Sequence, residues 1–254
     1  MHLLPTTLLP TYRAAFPAGA QQAFERLVDA ELSTAHFSFY TSVASVFSSK
    51  IEGERIELDS YVKHKRDGVP FQADYTKKTD DLYSAYLFAQ GARLTKGNVK
   101  KAHELLSRHL VAASGQGQYR RQNMYVMTDD GRIEYVAAPP AIVEMEMQRF
   151  FSDVALLLGE QLTIAETFYF ASMIHLLFVK IHPWSDGNGR SARLLEKWFL
   201  SEKLGPKAWY LQSEKHYYQN HASYYHNLRA LGLEYETLDY AKALPFALML
   251  PNAL

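Results

Sequence analysis

Apolar positions recur at helical spacing along most of this chain. Amphipathic patterns run over about residues 21–32, 35–51, 78–93 and 98–112, and again near 141–157. The second is rich in small and aromatic residues and runs out at Gly53, which suits the position just beyond a helix end. Thr163-Ile164-Ala165-Glu166 reads as a capping box opening a helix to about residue 180. That segment is apolar nearly all round, which predicts a central, buried helix. A loop at residue 182 follows. Another helix begins near 189 or 190, with Leu194, Leu195, Trp198 and Phe199 on one face. Two further patterns, 214–231 and 235–249, complete the chain.

One stretch departs from this period. Met124-Tyr125-Val126-Met127 and Ile133-Glu134-Tyr135-Val136 flank Asp130-Gly131, a strong hairpin signal within about 119–136. Pro139-Pro140 then precedes the next helix. The expectation is a mainly α protein with one β-hairpin. No Gly/Ser-rich linker separates a second domain.

Composition narrows the function. With 27 basic and 27 acidic residues the chain is formally neutral, so a broad nucleic-acid surface is not expected. It has no cysteine, which excludes disulfides and thiolate chemistry. The N-terminus is mildly apolar but carries two prolines and no basic region, unlike a signal peptide. The apolar run 165–181 is interrupted by Glu166, His175 and Lys180, so it reads as too short and polar to span a bilayer comfortably. The expectation is a cytoplasmic protein, with no membrane partner.

The densest chemistry lies in His182-Pro183-Trp184-Ser185-Asp186-Gly187-Asn188-Gly189-Arg190-Ser191-Ala192-Arg193. Gly187 and Gly189 let backbone N–H groups approach an anion, and the following helix adds a positive dipole end. Arg190 and Arg193 share a face of its first turn, where each cation is disfavoured by about 0.3–1 kcal/mol. An anion between them would reverse that penalty. Asp186 is a hard oxygen donor suited to Mg²⁺ beside phosphates. His182 can titrate near neutrality and suits a general base. Singly, each is more often a cap or a turn residue. Jointly, they point to a polyphosphate site.

These residues resemble the signature of the Fic family, HPF-x-[DE]-GNGR-x-x-R, with Trp184 in place of Phe. The likeness also covers the helix order, the hairpin and Tyr224-Tyr225, over roughly residues 100–250. It implies a Fic-type helical bundle with a central helix-loop-helix active site. It also implies a division into an N-terminal helical region, 1–95, and a catalytic core, 96–254. The activity implied is protein adenylyltransfer, from ATP to a Ser, Thr or Tyr hydroxyl with release of pyrophosphate. By resemblance His182 is the base, Asp186 holds Mg²⁺, and Gly187, Asn188 and Gly189 form the anion hole. Arg190 and Arg193 would grip phosphates. The hairpin would be a flap that docks a protein target by strand addition, with Met124 over the nucleotide and Tyr225 and Leu228 toward the base. The target is unidentified, and self-modification and a homodimer are both compatible with the sequence.

Ser48-Ser49-Lys50-Ile51-Glu52-Gly53 resembles the family's inhibitory motif, [ST]-x-x-x-E-[GN], within a helix of about 35–53. Ser48 and Glu52 are four apart on one face, and Glu52 falls in the last turn, where an anion is disfavoured. Arg193, equally misplaced at a helix start, is the partner expected. Competing readings are a nucleotide-responsive binding module without turnover, transfer of another nucleotide, and removal of AMP. Intact Gly187-Asn188-Gly189 disfavours phosphotransfer, and His182 disfavours pure binding. No basic helix-turn-helix pattern supports a DNA-binding regulator.

Overall fold

Two residues set the start of the helix Ile164–Ile181. Thr163 Oγ1 accepts from the Glu166 backbone N–H at 3.3 Å, and the Glu166 carboxylate accepts from the Thr163 N–H at 2.7 Å. The structure is a computed structural model describing residues 1, 3–127, 131 and 133–254, with Ala73 described through its backbone alone. Among the described residues there are twelve α-helices and one two-stranded hairpin. In chain order they are α1 Leu9–Ala15, α2 Ala20–Glu25, α3 Phe39–Ile51, α4 Leu58–Asp67, α5 Ala73–Gly91 and α6 Lys96–Leu106. Strands β1 Tyr125–Met127 and β2 Ile133–Val136 follow. Then come α7 Pro140–Gly159, α8 Ile164–Ile181, α9 Asn188–Leu204, α10 Ser213–Gln219, α11 His221–Arg229 and α12 Leu244–Met249.

The capping box and the buried central helix are as the sequence predicts: every residue of α8 from Thr167 to Ile181 is buried. This helix is long and apolar enough to cross a membrane by length and composition, closer to that limit than its charged residues suggest, but most of it is covered by protein. Its principal neighbour is α9, reached through the loop 182–187. The core runs from Leu4 to Leu250 and includes Ala44 and Ile51 of α3 beside Leu82 and Leu195. Apolar packing is therefore continuous across the 95/96 division. Two polar contacts reinforce it: Trp198 Nε1 donates to the Ala92 carbonyl at 3.0 Å, and the Leu94 N–H donates to Glu202 at 2.6 Å.

Several boundaries move for local reasons. Ser38 caps α3 by accepting from the Thr41 N–H at 3.2 Å, so the helix expected from 35 starts at Phe39. The pattern expected over 21–32 stops at Glu25, and that over 98–112 stops at Leu106. The segment 214–231 divides into α10 and α11 at Asn220, whose φ of −111° leaves the helical region. The segment 235–249 holds two 3₁₀ turns, the second capped by the Asp239 side chain, before α12 opens with Pro245 in its first turn. Helices α1 and α4, absent from the expected set, are short. The second ends on Gly68 at a left-handed φ of 69°.

The hairpin pairs Tyr125 with Val136, Val126 with Tyr135 and Met127 with Ile133. A bulge at Glu134 keeps Tyr125, Met127 and Ile133 on one face. Asp130 of the expected turn lies outside the described residues, while Gly131 has the positive φ, 81°, that such a turn needs. The base of β2 is held down, because the Val136 N–H donates to the Leu233 carbonyl at 2.8 Å.

Candidate active site

The signature sits where α8 ends and α9 begins. Pro183 has no N–H, so the Val179 carbonyl loses the partner four residues on that a continuing helix would supply. His182 Nδ1 takes that place, 3.2 Å from the Val179 oxygen. A carbonyl can only accept, so this bond assigns the proton to Nδ1 and leaves the Nε2 lone pair free. Burial holds the His182 pKa down to about 4. The Val179 contact opposes this, the Arg120 guanidinium adds to it, and Glu52 opposes it. The imidazole is therefore neutral at neutral pH, the form a general base requires.

Arg120, in the stretch Gly117-Gln118-Tyr119-Arg120 that resembles the family's lead into the flap, had no role assigned from the sequence. It is buried and closes the end of α8, donating from Nε to the His182 carbonyl at 2.6 Å and from Nη2 to the Ile181 carbonyl at 3.2 Å. Its backbone N–H donates to the Pro183 carbonyl at 2.9 Å. The loop is held from its other side by His103. Burial pushes the His103 pKa to about 4, so the ring is neutral. Nδ1 accepts from the Gly117 N–H at 2.9 Å, and Nε2–H donates to the Asp186 carbonyl at 3.0 Å. The same ring stacks on Trp184, which stands where the signature has Phe, at 4.2 Å between centroids. Nothing local to Arg120 or His103 names its partner. Their partners lie 62 and 83 residues away.

The two glycines answer to different constraints. Gly187 has φ 79°, and a Cβ there would meet Leu106 at 2.9 Å. At Gly189 a Cβ would overlap the Glu52 carboxylate. Asn188 is at the first position of α9, but its side chain bonds the Trp184 backbone at both ends, at 2.8 and 2.9 Å. Its side chain thus braces the loop, which leaves the backbone N–H as its means of contacting an anion. Asp186 is exposed, and its Oδ1 accepts from the Gly187 N–H.

Arg193 is fully buried and reaches α3. It donates from Nε to Ser48 Oγ at 2.8 Å, and from Nη2 to the Ser48 carbonyl at 3.1 Å and to Glu52 Oε1 at 2.6 Å. Glu52 lies at the C-cap of α3, one residue beyond the last turn in which the sequence placed it, and Gly53 beyond it takes φ 84°. Burial disfavours the Glu52 charge, but Arg193 and then Arg190 outweigh it and hold the carboxyl below its ordinary range. Arg190 is also buried; it pairs at 3.3 Å with Glu54, which Lys78 reaches at 2.7 Å. Arg190 Nε has no hydrogen-bond partner among the described residues.

On the far side, Arg193 Nη1 lies 3.4 Å from the Tyr224 hydroxyl. Tyr224 bonds His175 at 2.9 Å, and His175 donates to Glu196 at 2.7 Å. This buried chain fixes Arg193 from behind. Tyr225 is partly buried near Glu52 and Arg193. Leu228 is 2 % exposed and belongs to the core, so it presents no open face to a base here. Met124 is partly buried at the foot of β1, its carbonyl accepting from the Ala137 N–H at 3.0 Å. Beside the loop runs an open cleft of about 600 Å³ lined by Gln116, Gln118, Arg121, Gln122 and Ser185.

Residues 93–200 match the model of the Fic/DOC family. The "Protein adenylyltransferase Fic" of Culex quinquefasciatus is 28% identical over 128 residues, and that of Drosophila grimshawi 31% identical over 118. Over that stretch the chain is similar to the Fic family. It spans about a quarter of the length of these curated relatives, whose matches cover 50% and 45% of it. The fold agrees with solved Fic structures. A Fic family protein from Desulfovibrio desulfuricans G20 superposes with TM-score 0.71 at 21% identity, covering 96% of this chain and 69% of that one. A Fic domain containing signaling protein from Bacteroides thetaiotaomicron VPI-5482 gives 0.68 at 16% identity, covering 96% and 90%.

Proposed function

We propose that this protein transfers AMP from ATP to a hydroxyl of a protein target and is held off by Glu52. The carrying observation is the free Nε2 of a neutral His182 beside a glycine-bordered helix start flanked by two buried arginines. In this reading Nε2 takes the proton of the incoming Ser, Thr or Tyr hydroxyl. The oxygen bonds to the α-phosphorus, the bond from that phosphorus to the bridging oxygen breaks, and pyrophosphate leaves. The first N–H groups of α9, with Arg190 and Arg193, stabilise the charge that builds on the phosphate oxygens. Asp186 fits Mg²⁺, because one exposed carboxylate suffices when phosphates complete the shell. The metal would neutralise phosphate charge. The target would lie along the hairpin, where Tyr125, Met127 and Ile133 are 52%, 57% and 48% exposed on one face.

The Glu52 carboxylate is itself an anion against Gly189 and Arg193, where the distal phosphates would be gripped. Nucleotide and Glu52 then compete for one arginine. The test is AMP labelling from radioactive ATP with Mg²⁺ and cell lysate. Glu52→Gly is expected to raise labelling at least about tenfold, since a charge-assisted contact to a buried arginine is worth upward of about 1.4 kcal/mol. His182→Ala in that background removes it, and mass spectrometry shows an adenylyl rather than a phosphoryl increment. A Glu52→Gly protein that labels no better than wild type sinks the inhibitory reading. Labelling that survives His182→Ala sinks the mechanism.

A further inference from the structure

We propose that Tyr135 of the hairpin is a positioning residue for His182, its phenol ring seated on the buried side chain of Lys180. The inference rests on His182 acting as the base. Its starting point is the Val179 carbonyl, orphaned by Pro183. Two side chains converge on that one oxygen: His182 Nδ1 at 3.2 Å and the Tyr135 hydroxyl at 3.1 Å. The hydroxyl oxygen is also 3.3 Å from Nδ1, and the two rings meet edge to face with centroids 6.1 Å apart. With Tyr135 donating to the carbonyl, its oxygen lone pairs face Nδ1–H. That arrangement favours the tautomer with a free Nε2. A phenol turned to donate to Nδ1 would instead place the ring proton on Nε2 and abolish the base.

What holds the phenol is Lys180, which occupies the same last turn of α8. It is wholly buried, and its Nζ has no hydrogen-bond partner among the described residues. It lies 4.0 Å from the centroid of the Tyr135 ring. A buried ammonium without hydrogen bonds is costly, and the ring face with the field of Glu134 is what compensates it. Glu134 is buried, with Oε1 taken by Arg229 and Oε2 without a partner among the described residues. Tyr135 thus ties the strand on which a target would dock to the atom that would deprotonate it. Lys180 fixes the angle at which it does so.

The experiment compares Glu52→Gly protein with the same protein carrying Tyr135→Phe or Lys180→Met. Phe keeps the ring and its seat and removes only the hydroxyl. Nitrogen NMR on ¹⁵N-histidine protein, with His182 assigned by its absence in His182→Ala, reads the tautomer without any reaction. The expected result is one Nδ1–H tautomer in the reference and, with the Val179 carbonyl left as the one acceptor for Nδ1–H, a smaller share of it in Tyr135→Phe. Turnover of labelled ATP is expected to fall at least about tenfold with KM for ATP unchanged, and Lys180→Met to fall in the same direction. A Tyr135→Phe protein with the reference tautomer overturns the proposal, whether or not its turnover falls, and so does one with a mixed tautomer and full turnover. Should the Glu52→Gly protein transfer no AMP at all, the functional reading fails while the NMR comparison still decides whether Tyr135 sets the ring.

Discussion

At the residue scale the chain carries charges where burial alone would forbid them, and Lys180 is compensated without a hydrogen bond. Arg193 has Glu52 and Ser48, and Lys197 has Glu214 at 2.6 Å. Lys180 has only a ring face and a neighbouring field, and burial pushes its pKa down to about 7 with Glu134 opposing. The sign of the resulting pH dependence follows from proton counting. Between pH 7 and the ordinary lysine range the unfolded chain binds more protons than the folded one, so this residue's penalty shrinks as pH rises through that window. Below pH 7 the penalty is present in full. Lys180→Met, similar in volume and uncharged, is expected to stabilise the protein by about 1–2 kcal/mol at pH 6 and by less at pH 9. Thermal melts at the two pH values check it; an equal effect at both would place the Lys180 titration elsewhere.

At the element scale the outcome depends on how local each signal is. The α8–loop–α9 unit was legible because its cap, apolar run, glycines and arginines lie within 40 consecutive positions, roughly the reach of helix-period and turn rules. The Ser48–Glu52 spacing and Gly53 were legible for the same reason. The roles of Arg120 and His103 were not, because nothing near them in sequence names their partners, which come from the far end of α8 and from the loop after it. The split of 214–231 was hidden because Asn220 is tolerated inside a helix and only its φ of −111° reveals the break. Glu54 was missed likewise. Its contact with Arg190 is partly exposed, so it is worth about 0.5–1 kcal/mol. Glu54→Ala alone is therefore expected to raise AMP labelling roughly two- to fivefold, well short of Glu52→Gly. A gain equal to that of Glu52→Gly would make Glu54 the principal restraint.

At the scale of the whole molecule, α3 is part of the core. Nine of its thirteen residues are buried, and it packs on α5, α9 and α10. Swinging such a helix away would cost a large share of a domain's net stability, which is only about 5–15 kcal/mol. Relief of inhibition is therefore expected to involve the Glu52 side chain and the turn at Gly53, with the helix staying in place. Hydrogen exchange measured with and without ATP and Mg²⁺ checks this. Amides 43–50 should keep the slow exchange of the core while any change falls within about 52–57. Loss of protection throughout α3 would instead show a detachable arm.

Among the described residues His182 is the one non-glycine with positive φ, at 54°. An L-residue held there stores roughly 1–2 kcal/mol of backbone strain that glycine would not feel. His182→Ala and His182→Gly both delete the ring, so the difference between their melting free energies isolates the backbone. Glycine should win by about 1 kcal/mol. Random drift toward stability would thus favour a glycine at this position. A chain that keeps an imidazole at 182 retains a standing conformational debt, and a melting curve can measure it without a substrate in hand.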